Sequence, residues 1–139
     1  MRDMTRIVRL GPGDVQDARR LVHAFLGEPA RPVDLRGWLW DRRNVMVGAF
    51  EEGEPAGLVY GHHLPRPDAT GDMLLLYSID VAEPHRRRGL GRRLVDAFRE
   101  HAGPGGTWLV TNESSEAAME LYRSCGAVRP HRDDVMLRL

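Results

Sequence analysis

The chain has 139 residues, 42% of them hydrophobic, and its 20 basic residues balance 20 acidic ones. That length suits one domain with a buried core and excludes two ordinary domains side by side, so residues 1–139 read as a single unit. Zero net charge excludes a global field that would recruit nucleic acid or an anionic membrane, and because every basic residue is Arg, no Schiff-base or Walker-loop lysine is available.

The first residues lack an apolar stretch, so no signal peptide is expected and the expected compartment is the cytoplasm. Arg6–Leu10 reads as a first strand. Gly11-Pro12-Gly13 breaks it, and Asp14 is placed to cap a helix carrying Val15, Ala18, Leu21, Val22 and Phe25 on one stripe. Asp34–Arg42 reads as a short second helix. Val45–Phe50 and Ala56–Leu64 form a hairpin across Glu51–Pro55. Met73–Val81 is almost continuously apolar, as in a central strand buried on both faces. Gly89–His101 repeats the helical stripe with Leu90, Leu94, Val95 and Phe98. Thr107–Thr111 is a short strand. Ser114 or Ser115 caps a last helix bearing Ala118, Leu121, Tyr122 and Cys125, with Gly126 as its stop. Ala127–Arg129 and Val135–Leu139 read as two closing strands. The order β-α-α-β-β-β-α-β-α-β-β predicts an α/β fold. Its single mixed, mostly antiparallel sheet carries helices on both faces.

The stretch from Ile79 to Arg93 carries the most chemistry. A buried strand ends, the chain turns, and a helix begins among Gly89 and Gly91. Unpaired N–H groups at a helix start and the helix dipole favour an anion. Glycines let that anion approach the backbone. Arg86, Arg87, Arg88, Arg92 and Arg93 add planar, permanent positive charge suited to phosphate. It is neither a Walker loop nor a dinucleotide fingerprint, because Gly-Lys-Ser/Thr and Gly-x-Gly-x-x-Gly are both absent.

Arg86-x-x-Gly89-x-Gly91, after a strand ending Ile79-x-Val81, resembles the acyl-CoA signature of the GNAT superfamily of N-acetyltransferases. Ala118 to Gly126 is similar to that superfamily's helix ending Leu-Tyr-x-x-x-Gly. The resemblance implies acetyl-CoA as co-substrate and no metal. It places the pantetheine arm against Ile79 and Val81, with the Val81 N–H on the thioester carbonyl. The pyrophosphate falls to the backbone of Arg86, Arg87, Arg88, Gly89, Leu90 and Gly91, with Arg92. Many members carry Asn where Ser115 stands, so the pantetheine contact belongs to Ser115 or passes to Asn112. Tyr122 takes the role of general acid to the thiolate. Asp80 is the base or the anchor of the amine, with Asp72, Glu113 or a water chain as alternatives.

The acceptor side is most similar to the small GNAT-type aminoglycoside 3-N-acetyltransferases. The matching residues are Val47–Phe50, His63–Pro65, Tyr77–Ile79, Val135-Met136 and His85-Arg86-Arg87. Such relatives place Asp where this chain has Ser78. The implied partner is a polycationic small-molecule amine, drawn by Glu28, Asp34, Asp68, Asp72, Glu113, Asp133 and Asp134. Protein N-termini and a non-catalytic acyl-CoA sensor are the alternatives, and a homodimer is compatible with the family. Cys125 reads as packing rather than nucleophile. His62 and His63, adjacent on a strand, point to opposite faces and do not chelate one metal. Trp38 and Trp40 read as packing near the substrate side.

Overall fold

A two-residue turn sets the register of the whole sheet. Glu52 and Gly53 both take left-handed backbone angles, with φ of 51° and 82°. That is the type I′ pattern whose twist matches flanking strands. It joins β2 (Asn44–Glu51) to β3 (Glu54–Leu64), with Glu51 opposite Glu54. A computed structural model describes residues 4–139. In it β1 (Thr5–Arg9) pairs antiparallel with β2, and β4 (Met73–Val81) pairs antiparallel with β3. The fifth strand, β5 (Thr107–Leu109), lies parallel to β4, and the sheet order is β1-β2-β3-β4-β5.

Alternation along β2 sorts the two cores. Val45, Val47 and Ala49 face α3 (Leu90–Arg99) and α4 (Glu116–Ser124). Met46 and Phe50 face α1 (Val15–Phe25) and α2 (Pro32–Trp40). Phe98 of α3 and Leu21 of α1 are fully buried, one on each side. Each such side chain contributes about 1.5–3 kcal/mol of burial.

The helix stripes and the order through α4 match the sequence reading. Four local expectations do not, the first being burial of β4 on both faces: only Leu74 and Leu76 are buried, both in the α3–α4 core, and Tyr77 is exposed. Asp14 does not cap α1. Its carboxylate instead accepts the Gly11 N–H at 2.8 Å and closes the turn before the helix. Ser115 holds the N-cap position of α4 but makes no side-chain cap bond. Ser114 is spent on Asn112, whose Oδ1 accepts from the Ser114 N–H and hydroxyl at 2.9 and 2.8 Å. The largest correction is at the end of the chain. Neither Ala127–Arg129 nor Val135–Leu139 forms a strand, and residues 126–139 are exposed. Pro130 removes a ladder donor between them. The three residues of β5 offer only a short edge to pair with. Gly126 does stop α4, at φ 88°. The Ala127 N–H reaches the Tyr122 carbonyl at 3.0 Å and the Gly126 N–H reaches that of Arg123 at 2.9 Å, a Schellman ending.

Candidate active site

The central strand loses its neighbour halfway along. β5 pairs with β4 only at Leu74, Leu75 and Leu76. From Tyr77 to Val81 no strand among the described residues covers that edge. A bulge marks the departure. Tyr60 opposes Ser78 and Gly61 opposes Leu76, so Tyr77 has no partner across β3. Bulges re-aim side chains, and Tyr77 turns out to solvent at 64% exposure. The result is an open wedge between β4 and β5, bounded by α4.

The wedge leads into the arginine turn. Arg86 folds back, and its Nε–H donates to the Val81 carbonyl at 2.9 Å. Arg87 takes a left-handed φ of 62°, and Gly89 takes 78° at the N-cap of α3. Arg87, Arg88 and Arg92 are exposed. Leu90 and Gly91 open the helix, and a helix start leaves its first N–H groups without intrahelical partners. The two glycines serve different ends. At Gly89 a Cβ meets nothing, and the left-handed angle is what favours glycine. At Gly91 a Cβ would sit 3.2 Å from Leu121 Cδ2, so its smallness lets α3 and α4 pack. A further tie escaped the sequence reading: His85 Nδ1 lies 2.6 Å from Glu51 Oε2, pinning the turn to the end of β2.

Ile79 and Val81 pack on the α3–α4 face, while Asp80 and Ser78 oppose Leu58 and Tyr60 on the other. Strand alternation predicts this split. Burial pushes the Asp80 carboxyl up from its ordinary value, and the Arg86 guanidinium pulls partly back. Tyr122 is buried, at 8% exposure. Its hydroxyl is pushed up by burial first, then by the Asp80 charge and by Cys125. Burial, Tyr77 and Asp80 raise Tyr60 in the same way. The Asp80 charge therefore acts on groups from both faces, across the open edge of β4. Cys125 is buried in the α3–α4 core, with its carbonyl accepting from Arg99 at 2.7 Å.

Asn112 and Ser115 both lie exposed where β5 runs into α4. Among the acidic residues expected on the rim, Asp34 is gripped by Arg31 at 2.7 Å and Asp68 by Arg66 at 2.9 Å. Glu113 pairs with Arg129 at 3.4 Å. Glu28, Asp72, Asp133 and Asp134 are exposed. Trp40 is 75% exposed, whereas Trp38 packs edge-on against Tyr60 and His62. Among the described residues no group of three or more His, Cys, Asp or Glu is placed to hold a metal ion. No helix among them is long and apolar enough to cross a membrane.

Residues 15–127 match the model of the Acetyltransferase (GNAT) family. The chain belongs to that family. Its fold is that of solved N-acetyltransferases, at low identity. An aminoglycoside acetyltransferase from an uncultured soil metagenomic sample, in complex with sisomicin, superposes with a TM-score of 0.83. It is 16% identical, over 98% of this chain and 96% of that one. The ribosomal-protein-alanine N-acetyltransferase of Brucella melitensis biovar Abortus 2308 gives 0.71 at 23% identity, over 96% and 99%. The aminoglycoside N-acetyltransferase AAC(6')-Iy in complex with CoA gives 0.77 at 17%, over 97% and 94%. By sequence, an uncharacterized protein of Mycobacterium leprae (strain TN) is 39% identical over 54 residues. That match spans 39% of this chain and only 15% of the relative's length. In this GNAT chain the open strand edge and the arginine turn meet at the end of β4, and the buried Tyr122 stands on α4.

Proposed function

We propose that this GNAT enzyme transfers an acetyl group from acetyl-CoA directly to a primary amine, without a covalent enzyme intermediate. One observation carries the reading. The uncovered edge Tyr77–Val81 ends at Asp80 and Val81, where the arginine turn folds back onto the Val81 carbonyl and the Asp80 charge acts on the buried Tyr122. In this reading the pantetheine arm lies along Ile79 and Val81, with the Val81 N–H polarising the thioester carbonyl. The N–H groups from Arg86 to Gly91 and the side chains of Arg87, Arg88 and Arg92 hold the pyrophosphate. Arg86 braces the strand end through Val81. Asn112 or Ser115 meets the pantetheine from the far side of the wedge.

The amine nitrogen bonds to the thioester carbon, and the carbon–sulfur bond breaks. Tyr122 donates its proton to the leaving thiolate. A phenol raised by burial stays protonated at neutral pH, as an acid must. Asp80 meets the amine as its base or its anchor.

For the acceptor we infer a polycationic aminoglycoside, acetylated at the 3-N position. The resemblance of the acceptor side and the likeness to aminoglycoside acetyltransferases support it. A protein N-terminus is the second reading, favoured by the likeness to a ribosomal-protein-alanine N-acetyltransferase. Calorimetry with CoA tests the co-substrate, and absence of binding overturns the proposal. A thiol-release assay on sisomicin and other aminoglycosides, beside alanine-initiated peptides, separates the two acceptors. CoA binding with turnover of no amine points instead to an acyl-CoA sensor.

A further inference from the structure

A cavity of about 360 Å³ opens on the Asp80 face of the sheet, beside the connector from α1 to α2. That size lies at the lower end of small-ligand sites. The sheet supplies Met46 and Tyr60 to it, α1 and its end supply Val22 and Leu26, and α2 supplies Leu35 and Trp38. Met46 and Leu35 are buried, whereas Leu26 is 43% exposed and, with Ala30 and Asp34, forms the rim. The rim is held in place, because the Ala30 carbonyl accepts from Arg19 Nη1 at 2.9 Å. The lining favours hydrocarbon. Its one carboxylate, Asp34, accepts two bonds from Arg31, at 2.7 and 3.2 Å. Val22, Leu26, Leu35 and Met46 offer no hydrogen bond to replace those that a hydroxylated group would lose with its water.

Tyr60 ties this cavity to the end of β4. It belongs to an aromatic patch with Trp38, His62 and Tyr77, meeting Trp38 at 6.0 Å and the exposed Tyr77 at 5.5 Å. It opposes Ser78, two residues along β4 from Asp80 and on the same face. Two residues of strand are about 7 Å. The Asp80 charge reaches Tyr60, whose hydroxyl is raised first by burial and then by Tyr77 and Asp80. A carboxylate and an apolar cavity thus stand one side chain apart. The pair complements an amine whose own carbon bears an apolar side chain. The ammonium's bond to the carboxylate takes up about 2.8 Å of the separation, and a side chain the length of Leu, Met or Phe spans the rest.

We propose that this cavity receives the first side chain of a protein N-terminus and selects Leu, Met or Phe there over small or polar residues. The inference rests on the acetyl-transfer reading and deepens its second acceptor by naming the residue that bears the amine. The ammonium sits at Asp80, the side chain passes Tyr60, and its end displaces water from the space between Val22, Leu26 and Trp38.

The test is kcat/KM for thiol release from acetyl-CoA by the full chain. The acceptors are peptides identical but for a first residue of Leu, Met, Phe, Ala, Ser or Asp, with sisomicin alongside. The first three should exceed the last three by about tenfold or more, the scale on which an apolar pocket discriminates. Ala30→Trp should fill the mouth, and Leu26→Glu should charge it. In each variant the ratio of Leu to Ala peptide should fall to within about 2-fold of one, below that scale. Calorimetry with CoA shows whether each variant is folded. The two act on the rim by different means, so a folding defect in one leaves the other to decide. Equal kcat/KM across the peptides overturns the proposal, as does a wild-type ratio that survives in both variants. Turnover of sisomicin with no peptide acetylated also overturns it, while the acetyl-transfer reading stands. Turnover of no amine at all overturns that reading, and the cavity's role with it.

Discussion

Asp80 is held in an environment that costs stability, and the cost has a sign. Burial raises its folded pKa above the unfolded value. The folded state therefore binds more proton in the window above 3.8, and stability falls as pH rises through the raised pKa. Asp80→Asn removes that titration. Its melting temperature should exceed wild type's at pH 7, and the gap should shrink as pH falls toward 3. A pH-independent gap would mean that the carboxylate's desolvation is not the cause. Turnover should fall in the same variant, because the amine loses its carboxylate. Tyr122→Phe makes the complementary case. It deletes one hydroxyl from a buried site, so kcat should drop by about tenfold or more while CoA affinity holds. Equal turnover would return Tyr122 to packing. Both residues were legible in the sequence, Tyr122 through its motif and Asp80 through alternation. The meeting of Tyr60, His62 and Tyr77 in one patch was not. Their convergence depends on the bulge at Tyr77, and nothing in an apolar run of five residues, Met73–Tyr77, marks which residue will bulge.

The elements around that bulge explain why its neighbours are small. Gly61 opposes Leu76, and a Cβ there would overlap the Leu75 carbonyl and lie 2.8 Å from Phe98 Cζ. The carbonyl belongs to the backbone of β4 and cannot swing aside. Gly61→Ala should cost about 1–3 kcal/mol or more, read from denaturant unfolding. It should also disturb the strand edge on which the wedge depends, so activity should fall beyond what the unfolded fraction explains. A stability change under about 0.5 kcal/mol, as at ordinary surface sites, would show that β3 and β4 yield at that point. The helices were legible because each carries a stripe of period 3.6. The hairpin was legible because its turn is Glu-Gly. The closing strands failed for the reverse reason. Val128 and Val135–Leu137 are apolar enough for strands, yet Pro130 interrupts them and only a three-residue edge waits to receive them. Composition reports what a segment prefers, and it carries no information about the length of its partner's edge.

Across the whole molecule, charge balances but is not evenly used. Of 20 arginines, many are spent on carboxylates or carbonyls: Arg31 on Asp34, Arg43 on Asp41, Arg66 on Asp68, Arg99 on Cys125. The turn is different, with Arg87, Arg88 and Arg92 exposed beside a helix start. With no net charge to steer an anion from afar, the proposed affinity for a pyrophosphate is assigned to this local cluster. Screening reaches about 10 Å at 0.1 M salt, so the cluster and not the rest of the surface should set the salt dependence. Arg88→Gln with Arg92→Gln should weaken CoA binding about tenfold, or roughly 1.4 kcal/mol, and flatten its salt dependence. Melting should be little changed, since both side chains are exposed. Arg36→Gln with Arg138→Gln is the matched control, exposed and removing the same charge elsewhere. It should leave CoA affinity as in wild type. Equal weakening by both pairs would mean that the molecule's overall field binds the anion. Weakening by the turn pair alone assigns that work to one strand end, one helix start and the arginines between them.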